Sequence, residues 1–442
     1  MSERKFRVVM FSILLLGFFS FGLYAQTITF WTTETEVDRM RVQQQMAAEF
    51  QGSTGIEVQV IPVDENLLSE RLTAAQAARD LPDVIFHPVD FTIGWAEQGI
   101  LDWRAAAEVV GELGTGTFAA GPLALAEFMG GYSAVPADGW GQLLVYRKDL
   151  VEANNLPTPD TWDNILTVAE ALHNPPRMFG FAAATAPDQV YTQQVFEGFA
   201  LSNGAALVDA TGNVNLNTPE FRETLDFYKQ LVEFTPPGSI FWRQTRLFYL
   251  GDRIAMMVWS PFILDELSGL RRDQPILVPD LAQKTGFVTV IQGPNGAAQY
   301  GQVSYFGITT GANTPAAKEW VKFLLTDGYL RWLSFAPEGK FPMRRGTLAD
   351  PDAFIRGWAE LEFGATTRAK ISEFYGPEVV EAILSGIEGF NRWGFTAGKG
   401  ALVSKIYGTK VVPELVVDFL RGKLTTTEAA AEIDAAVKAL EE

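Results

Sequence analysis

The feature that most constrains this chain is a rhythm of short β-prone runs alternating with helical ones, with little sequence between them. Ile28-Thr29-Phe30-Trp31-Thr32 reads as a strand. A helix is predicted from about Glu36 to Phe50, with Val37, Met40, Gln44, Ala47 and Ala48 on one face. Residues 56–61 alternate as a second strand, 67–78 return to helical spacing, and 82–86 form a third, short apolar strand. Strands separated by helices cannot pair as hairpins, so the pattern predicts βαβ units and a largely parallel sheet. The same grammar runs on. Residues 143–146 and 254–259 read as strands. Helices are predicted over 162–172, after Thr218-Pro219, after Thr314-Pro315 and after the capping box Thr425–Glu428. No internal repeat or long low-complexity linker interrupts the chain. Lobes of an α/β protein built this way are therefore expected to exchange segments.

The N-terminus predicts a compartment. Arg4, Lys5 and Arg7 precede an apolar run from Val8 to about Phe21, which ends at Leu23-Tyr24-Ala25. This is the layout of a secretory signal peptide over residues 1–25, too short for a confident membrane span. Cleavage is expected after Ala25, with Gly22 as the alternative. The chain has no cysteine, so it has neither disulfides nor the acylated cysteine of a lipoprotein. A periplasmic location follows as the expectation. Residues 1–25 carry three basic groups and one acidic group. They leave about −20 on the remainder of a chain whose formal charge is −18. That balance argues against nucleic acid and anionic membranes as partners.

Motifs for chemistry are sparse. Only two histidines, His87 and His173, are present, too few for a histidine metal site, and neither H-E-x-x-H nor a P-loop occurs. Gly114-Thr115-Gly116-Thr117-Phe118-Ala119 copies a dinucleotide fingerprint in letters but follows a helical run instead of a strand. Asp209 to Glu220 mimics calcium-loop spacing, yet Gly212 stands two residues too early for the sharp turn. No cofactor and no metal are expected.

Several segments, in order, resemble the extracellular solute-binding proteins of family 1, the group of maltose-binding and related sugar-binding proteins. They include Ile28-Thr29-Phe30-Trp31, Leu81-Pro82-Asp83-Val84-Ile85, Gly99-Ile100-Leu101-Asp102 and Leu143 to Leu150, where Arg147 replaces a common Asn. Further along come Gly251 to Met256, Ala316 to Leu324 and Gly339-Lys340-Phe341-Pro342. Each motif is weak alone; their shared order over some 320 residues carries the resemblance. It implies a type II periplasmic-binding-protein fold: two α/β lobes joined by a multi-segment hinge, with the ligand cleft between them. The expected N-terminal lobe is 26–143 plus 301–343, and the C-terminal lobe 144–300 plus 344–442. It further implies a non-enzymatic, monomeric protein that captures a carbohydrate, of disaccharide size or longer, for the membrane permease of an ABC importer.

A sugar cleft needs aromatic faces for the C–H faces of the ring and planar polar groups for its hydroxyls. In α/β lobes these groups stand just beyond the carboxyl ends of strands. The candidates are Thr33, Glu34 and Glu36 after the first strand; His87 and Asp90 after the third; Trp140 between two glycines; and Trp259 and Phe262 after residues 254–258. By the resemblance, Tyr191, Gln193, Tyr305, Arg344 and Trp393 join them. Bland readings stand beside each: Glu36 as a helix-dipole partner, Asp90 as a cap, His87 as a structural histidine, Arg344 as a hinge ion pair. Two rival functions remain open. Glu34, Asp90 and aromatic walls would suit a polyamine, and a glycerol phosphate ester would need more basic groups than Arg344 and Arg392. A glycoside hydrolase would need two carboxylates spaced across the cleft.

Overall fold

The computed structural model describes residues 26–271, 274–364 and 367–441; the segment expected to be a signal peptide lies outside them. Two sheets organise the molecule. In the first, β1 (Thr27–Thr32) pairs in parallel with β2 (Glu57–Pro62) and β3 (Val84–Pro88). Long helices make these crossovers, as the spacing required: Val37–Thr54 between β1 and β2, and Leu68–Ala78 before β3. Three further strands extend this sheet by antiparallel pairing, so that the second and third of them run against β1–β3 and the first runs with them. They are β4 (Val135–Gly141), β8 (Gly296–Ile308) and β9 (Phe341–Pro342), giving the order β9-β4-β8-β3-β1-β2.

The second sheet holds β5 (Leu143–Arg147) between β6 (Met256–Trp259) and β7 (Thr285–Val288), both antiparallel to it. The expectation of a largely parallel sheet is thus corrected. It holds only for the pairings of β1 with β2 and β3, because β8 returns from the opposite lobe and enters between β3 and β4 from the other end. That return is what makes the first sheet mixed.

Alternating residues of β1, and four successive residues of β3, are buried in and around an aromatic core. Phe30 meets Trp320 edge-on at 5.9 Å, and Trp332 meets Phe86 at 4.7 Å and Phe306 at 5.0 Å. Most of the chain's 54 aromatic residues are spent in this way. The anticipated caps form. Thr218 Oγ1 accepts from the Phe221 amide at 3.2 Å. Thr425 and Glu428 cap each other reciprocally, at 2.8 and 3.3 Å.

Only one residue, Gln142, separates β4 in the first sheet from β5 in the second. The return crossing lies in β8. Past β9 the chain stays with the first lobe: Arg344 bridges Phe118, Phe354 packs edge-on to Tyr329 at 4.9 Å, and the indole of Trp358 donates to Pro337 O at 3.0 Å. We therefore propose the third crossing after Ala359, later than 343.

The lobes are tied where they cross by a buried ionic cluster. Arg392, 1% exposed, donates to Asp90 Oδ1 at 2.9 Å, Glu197 Oε1 at 3.0 Å and Gln302 Oε1 at 3.0 Å. Asp90 belongs to the helix Val89–Glu97 of the first lobe, Glu197 to the helix Val190–Ser202 of the second, and Gln302 to β8. Tyr407 donates to Glu197 Oε2 at 2.7 Å, and the rings of Tyr300 and Tyr407 lie 4.4 and 4.9 Å from the guanidinium. A buried charge is tolerated only when paired, and removing one partner leaves the other stranded. Glu197→Ala is expected to cost about 3–5 kcal/mol, read as a lowered urea midpoint. A loss below about 1 kcal/mol would mean that Arg392 is solvated instead of buried.

Candidate functional site

Between the two sheets lies a cleft of two adjoining chambers, about 610 and 830 Å³. Both are lined by Glu65, Trp140, Trp242, Trp259 and Ser260. Trp140 comes from β4 of the first lobe, where Gln302 is its neighbour across the sheet. Trp259 ends β6 of the second lobe, and Trp242 opens the helix Trp242–Leu250. Trp242 and Trp259 lie near-parallel, 5.7 Å apart with 23° between planes. Tyr191 sets Trp259 in place. Its ring meets the indole at 5.3 Å, and its hydroxyl donates to Val258 O at 2.6 Å. The Trp259 indole nitrogen is buried with no hydrogen-bond partner among the described residues.

The smaller chamber is rich in amides and acids: Asp90, Gln142, Asp188, Gln189, Gln194 and Gln302. Such groups offer paired donors and acceptors for hydroxyls. Asp90 is oriented by Gln302 Nε2, which donates to its Oδ2 at 2.9 Å, and by Arg392. Ser404 Oγ donates to the Asp90 carbonyl, so the helix Gly400–Thr409 fastens this corner.

The larger chamber is bounded by Glu36, Arg39, Phe262, Asp265 and Glu338, among others. The Phe262 ring lies flat against Gly339, so close that a side chain at 339 would occupy its place. Behind this wall, Lys340 bridges Glu34 at 2.5 Å and Asp138 at 3.1 Å, with its ammonium 4.8 Å over Phe86 and 5.1 Å over Trp332. Burial alone would raise the Glu34 carboxyl, but the Lys340 and Arg39 cations beside it hold it below the usual carboxylate range. Asp138 is pushed up by burial, against the pull of Lys340. Glu34 thus shapes the cleft through Arg39, which it holds at 2.6 Å, more than by facing it.

Of the sequence candidates, Glu36, Asp90, Trp140, Tyr191, Trp259 and Phe262 line the two chambers. Thr33 is partly buried beside Glu34 and lines neither. Others are placed in the core, which corrects the expectation for them. His87 is fully buried on β3; its Nδ1 donates to Pro88 O at 3.0 Å, its ring lies between Trp95 and Tyr305, and burial pushes its pKa down to about 4. Tyr305 alternates inward on β8 and donates to Pro122 O at 2.7 Å. Arg344 is consumed by Leu325 O, Leu113 O and the Thr117 hydroxyl at 2.6–3.1 Å, carbonyls and a hydroxyl instead of the ion pair weighed for it. Trp393 donates to Ala205 O at 2.8 Å and packs on Phe196 and Phe221. Gln193 is buried in the core, both amide atoms without a hydrogen-bond partner among the described residues, while its neighbour Gln194 turns to the cleft. Trp242 and Gln302 were missed, and Arg392 was weighed only as a basic group near the cleft. The first opens a helix, with no strand before it to point to a cleft. The others become visible only when distant segments meet.

Glu338 carries the clearest electrostatic strain. It is 8% exposed, and burial, with Asp265 facing it, pushes its carboxyl up to about 7; Arg39 and Arg368 oppose this only weakly. An acid whose folded pKa is raised destabilises the fold above its unfolded value. The cost grows from about pH 4.5 and is complete above the folded value near 7. Glu338→Gln is therefore expected to stabilise the protein at pH 7.5, by up to about 3 kcal/mol, and to change little at pH 4.5. A melting-temperature gain that is equal at both pH values would contradict this origin.

The sequence profile of the bacterial extracellular solute-binding protein family matches residues 35–330. YcjN of Escherichia coli (strain K12), assigned as an ABC transporter periplasmic-binding protein, is 28% identical over 398 residues, covering 87% of this chain and 88% of that one. Maltose-bound MalE3 of T. maritima superposes with a TM-score of 0.70 at 22% identity, covering 94% of this chain and 100% of that one. A solute-binding protein of Thermotoga lettingae bound with α-D-tagatose does so at 0.71 and 18%, with 94% and 100% covered. The cyclic α-maltosyl-1,6-maltose binding protein of Arthrobacter globiformis gives 0.72 at 15%, with 94% and 98% covered. Among the described residues no helix is long and apolar enough to cross a membrane. With its two lobes, crossing strands and central cleft, the chain belongs to the bacterial extracellular solute-binding protein family and is an ABC-type solute-binding protein of type II architecture.

Proposed function

We propose that this protein captures a carbohydrate of disaccharide size or larger in the cleft and presents it to the permease of an ABC importer. The observation that carries the reading is the pairing of Trp140 with Trp242 and Trp259 from opposite lobes around one cleft. Pyranose rings offer apolar C–H faces to such indoles and hydroxyls to the surrounding carboxamides and carboxylates. Two linked chambers suit more than one ring. The structural relatives with maltose, tagatose and a cyclic maltosyl sugar agree with this class. Asp90 serves as the fixed acceptor in the smaller chamber, positioned by Arg392 and Gln302. Glu36 and Phe262 serve the larger one.

The protein acts by binding and closure, without chemistry on the sugar, as a monomer. It works in the periplasm after removal of residues 1–25. Polyamines form the second reading, favoured by the acidic lining of the larger chamber.

A thermal-shift panel of mono-, di- and oligosaccharides beside polyamines and glycerol phosphates tests the proposal. A glycan at about 100 times its Kd should add about 2.7 kcal/mol of stability and raise the melting temperature. Trp259→Ala is then expected to weaken that glycan roughly tenfold or more. A shift with polyamines alone, or an unchanged Kd in Trp259→Ala, would contradict it.

A further inference from the structure

The larger chamber contains a group that a neutral glycan does not need. Glu338 comes from the first lobe, in the turn before β9, and Asp265 from the second, in the helix Leu264–Leu267 after β6. The chamber lies between them. Glu338 Oε2 is buried, with no hydrogen-bond partner among the described residues. Its exposure is 8%, so solvent does not serve it instead. Of the four cations lining the chamber among the described residues, three stand against other carboxylates, and the fourth, Arg368, is exposed and is the weakest of the groups acting on Glu338. Arg246 holds Glu266 at 2.8 Å, Arg271 stands 3.9 Å from the same carboxylate, and Arg39 holds Glu34 at 2.6 Å.

We propose that Glu338 is the acceptor of a cation subsite, and that the captured solute is an amino sugar or a glycoside bearing a basic nitrogen. The proposal rests on the carbohydrate reading of the cleft and narrows it.

The chemistry favours a cation over a hydroxyl. A hydroxyl donates a single hydrogen bond and leaves the negative charge in place, facing Asp265 inside a closed cleft. An ammonium offers up to three N–H donors and cancels the charge. Without a ligand the burden falls on a proton, consistent with the upward push on Glu338 by burial and by Asp265. An arriving ammonium takes the proton's place, so its binding releases that proton and tightens as pH rises from 5.5 to 7. The other charged groups that act on Glu338 are the guanidiniums of Arg39 and Arg368. A neutral sugar accepting from protonated Glu338 has the opposite pH dependence. A buried carboxylate that costs stability is also a mark of a functional site.

The test uses the whole protein. Glucose, cellobiose and maltose are titrated calorimetrically, each beside its 2-amino and 2-acetamido counterpart, at pH 5.5 and 7. In a scaffold that binds, the amino member should bind at least tenfold tighter than both counterparts at pH 7. Its advantage should shrink at pH 5.5 and fall below twofold in Glu338→Gln. The pH comparison on the unaltered protein stands even if that variant fails to fold. The proposal is overturned if no amino member outbinds its neutral counterpart, or if the preference survives Glu338→Gln. Binding of neutral sugars alone would overturn it and leave the carbohydrate reading intact. Failure of every glycan, here and in the wider panel, would remove both.

Discussion

The fold depends on one buried cation. Arg392 stands where the chain crosses between lobes and holds a carboxylate from each, Asp90 and Glu197, at 2.9 and 3.0 Å. Its removal from water is offset only by this complete set of partners and by the Tyr300 and Tyr407 rings on its faces. Because Asp90 also lines the cleft, the cluster does two things together. It fixes how the lobes are joined, and it holds a carboxylate of the cleft wall in a defined orientation. A hinge built on a rigid polar centre can flex in its surrounding strands while its pivot stays put.

From that pivot the rest of the cleft follows. Strands β4, β5 and β8 run past the cluster, and the indoles of Trp140 and Trp259 stand at their cleft-side ends or partners. The far end of the cleft is closed by Phe262 on Gly339 and bordered by the Lys340–Glu34–Asp138 cluster. The two chambers therefore have different characters. One offers neutral carboxamides and an oriented aspartate. The other is strongly charged, with Glu338 held above its usual range by burial.

Much of this was legible in the sequence because it is local. The strand–helix alternation gave β1 to β3 and their crossovers, and the caps at Thr218 and Thr425 formed where the residues required. Trp140 and Trp259 were found because each sits beside a strand end with glycine, serine or proline next to it. The failures share a cause. Antiparallel returns, the side to which Tyr305 points on β8, and the burial of His87 and Trp393 depend on which segments meet across the lobes. Arg344 shows the same limit. Its neighbours Leu113 and Leu325 are 231 and 19 residues away respectively, and only packing brings their carbonyls together on one guanidinium. Arg392 lay one residue from a candidate, but nothing local distinguishes a buried arginine from a solvated one.

The most direct measurement follows closure itself. The native chain has no cysteine, so Val37→Cys with Leu247→Cys places exactly two labels, on exposed positions in opposite lobes beside the cleft. Spin-label distances are recorded with and without a glycan that shifts the melting temperature. The account requires the distance to shorten and its distribution to narrow when that glycan binds. An unchanged distance under saturating glycan would place binding outside the cleft and contradict it.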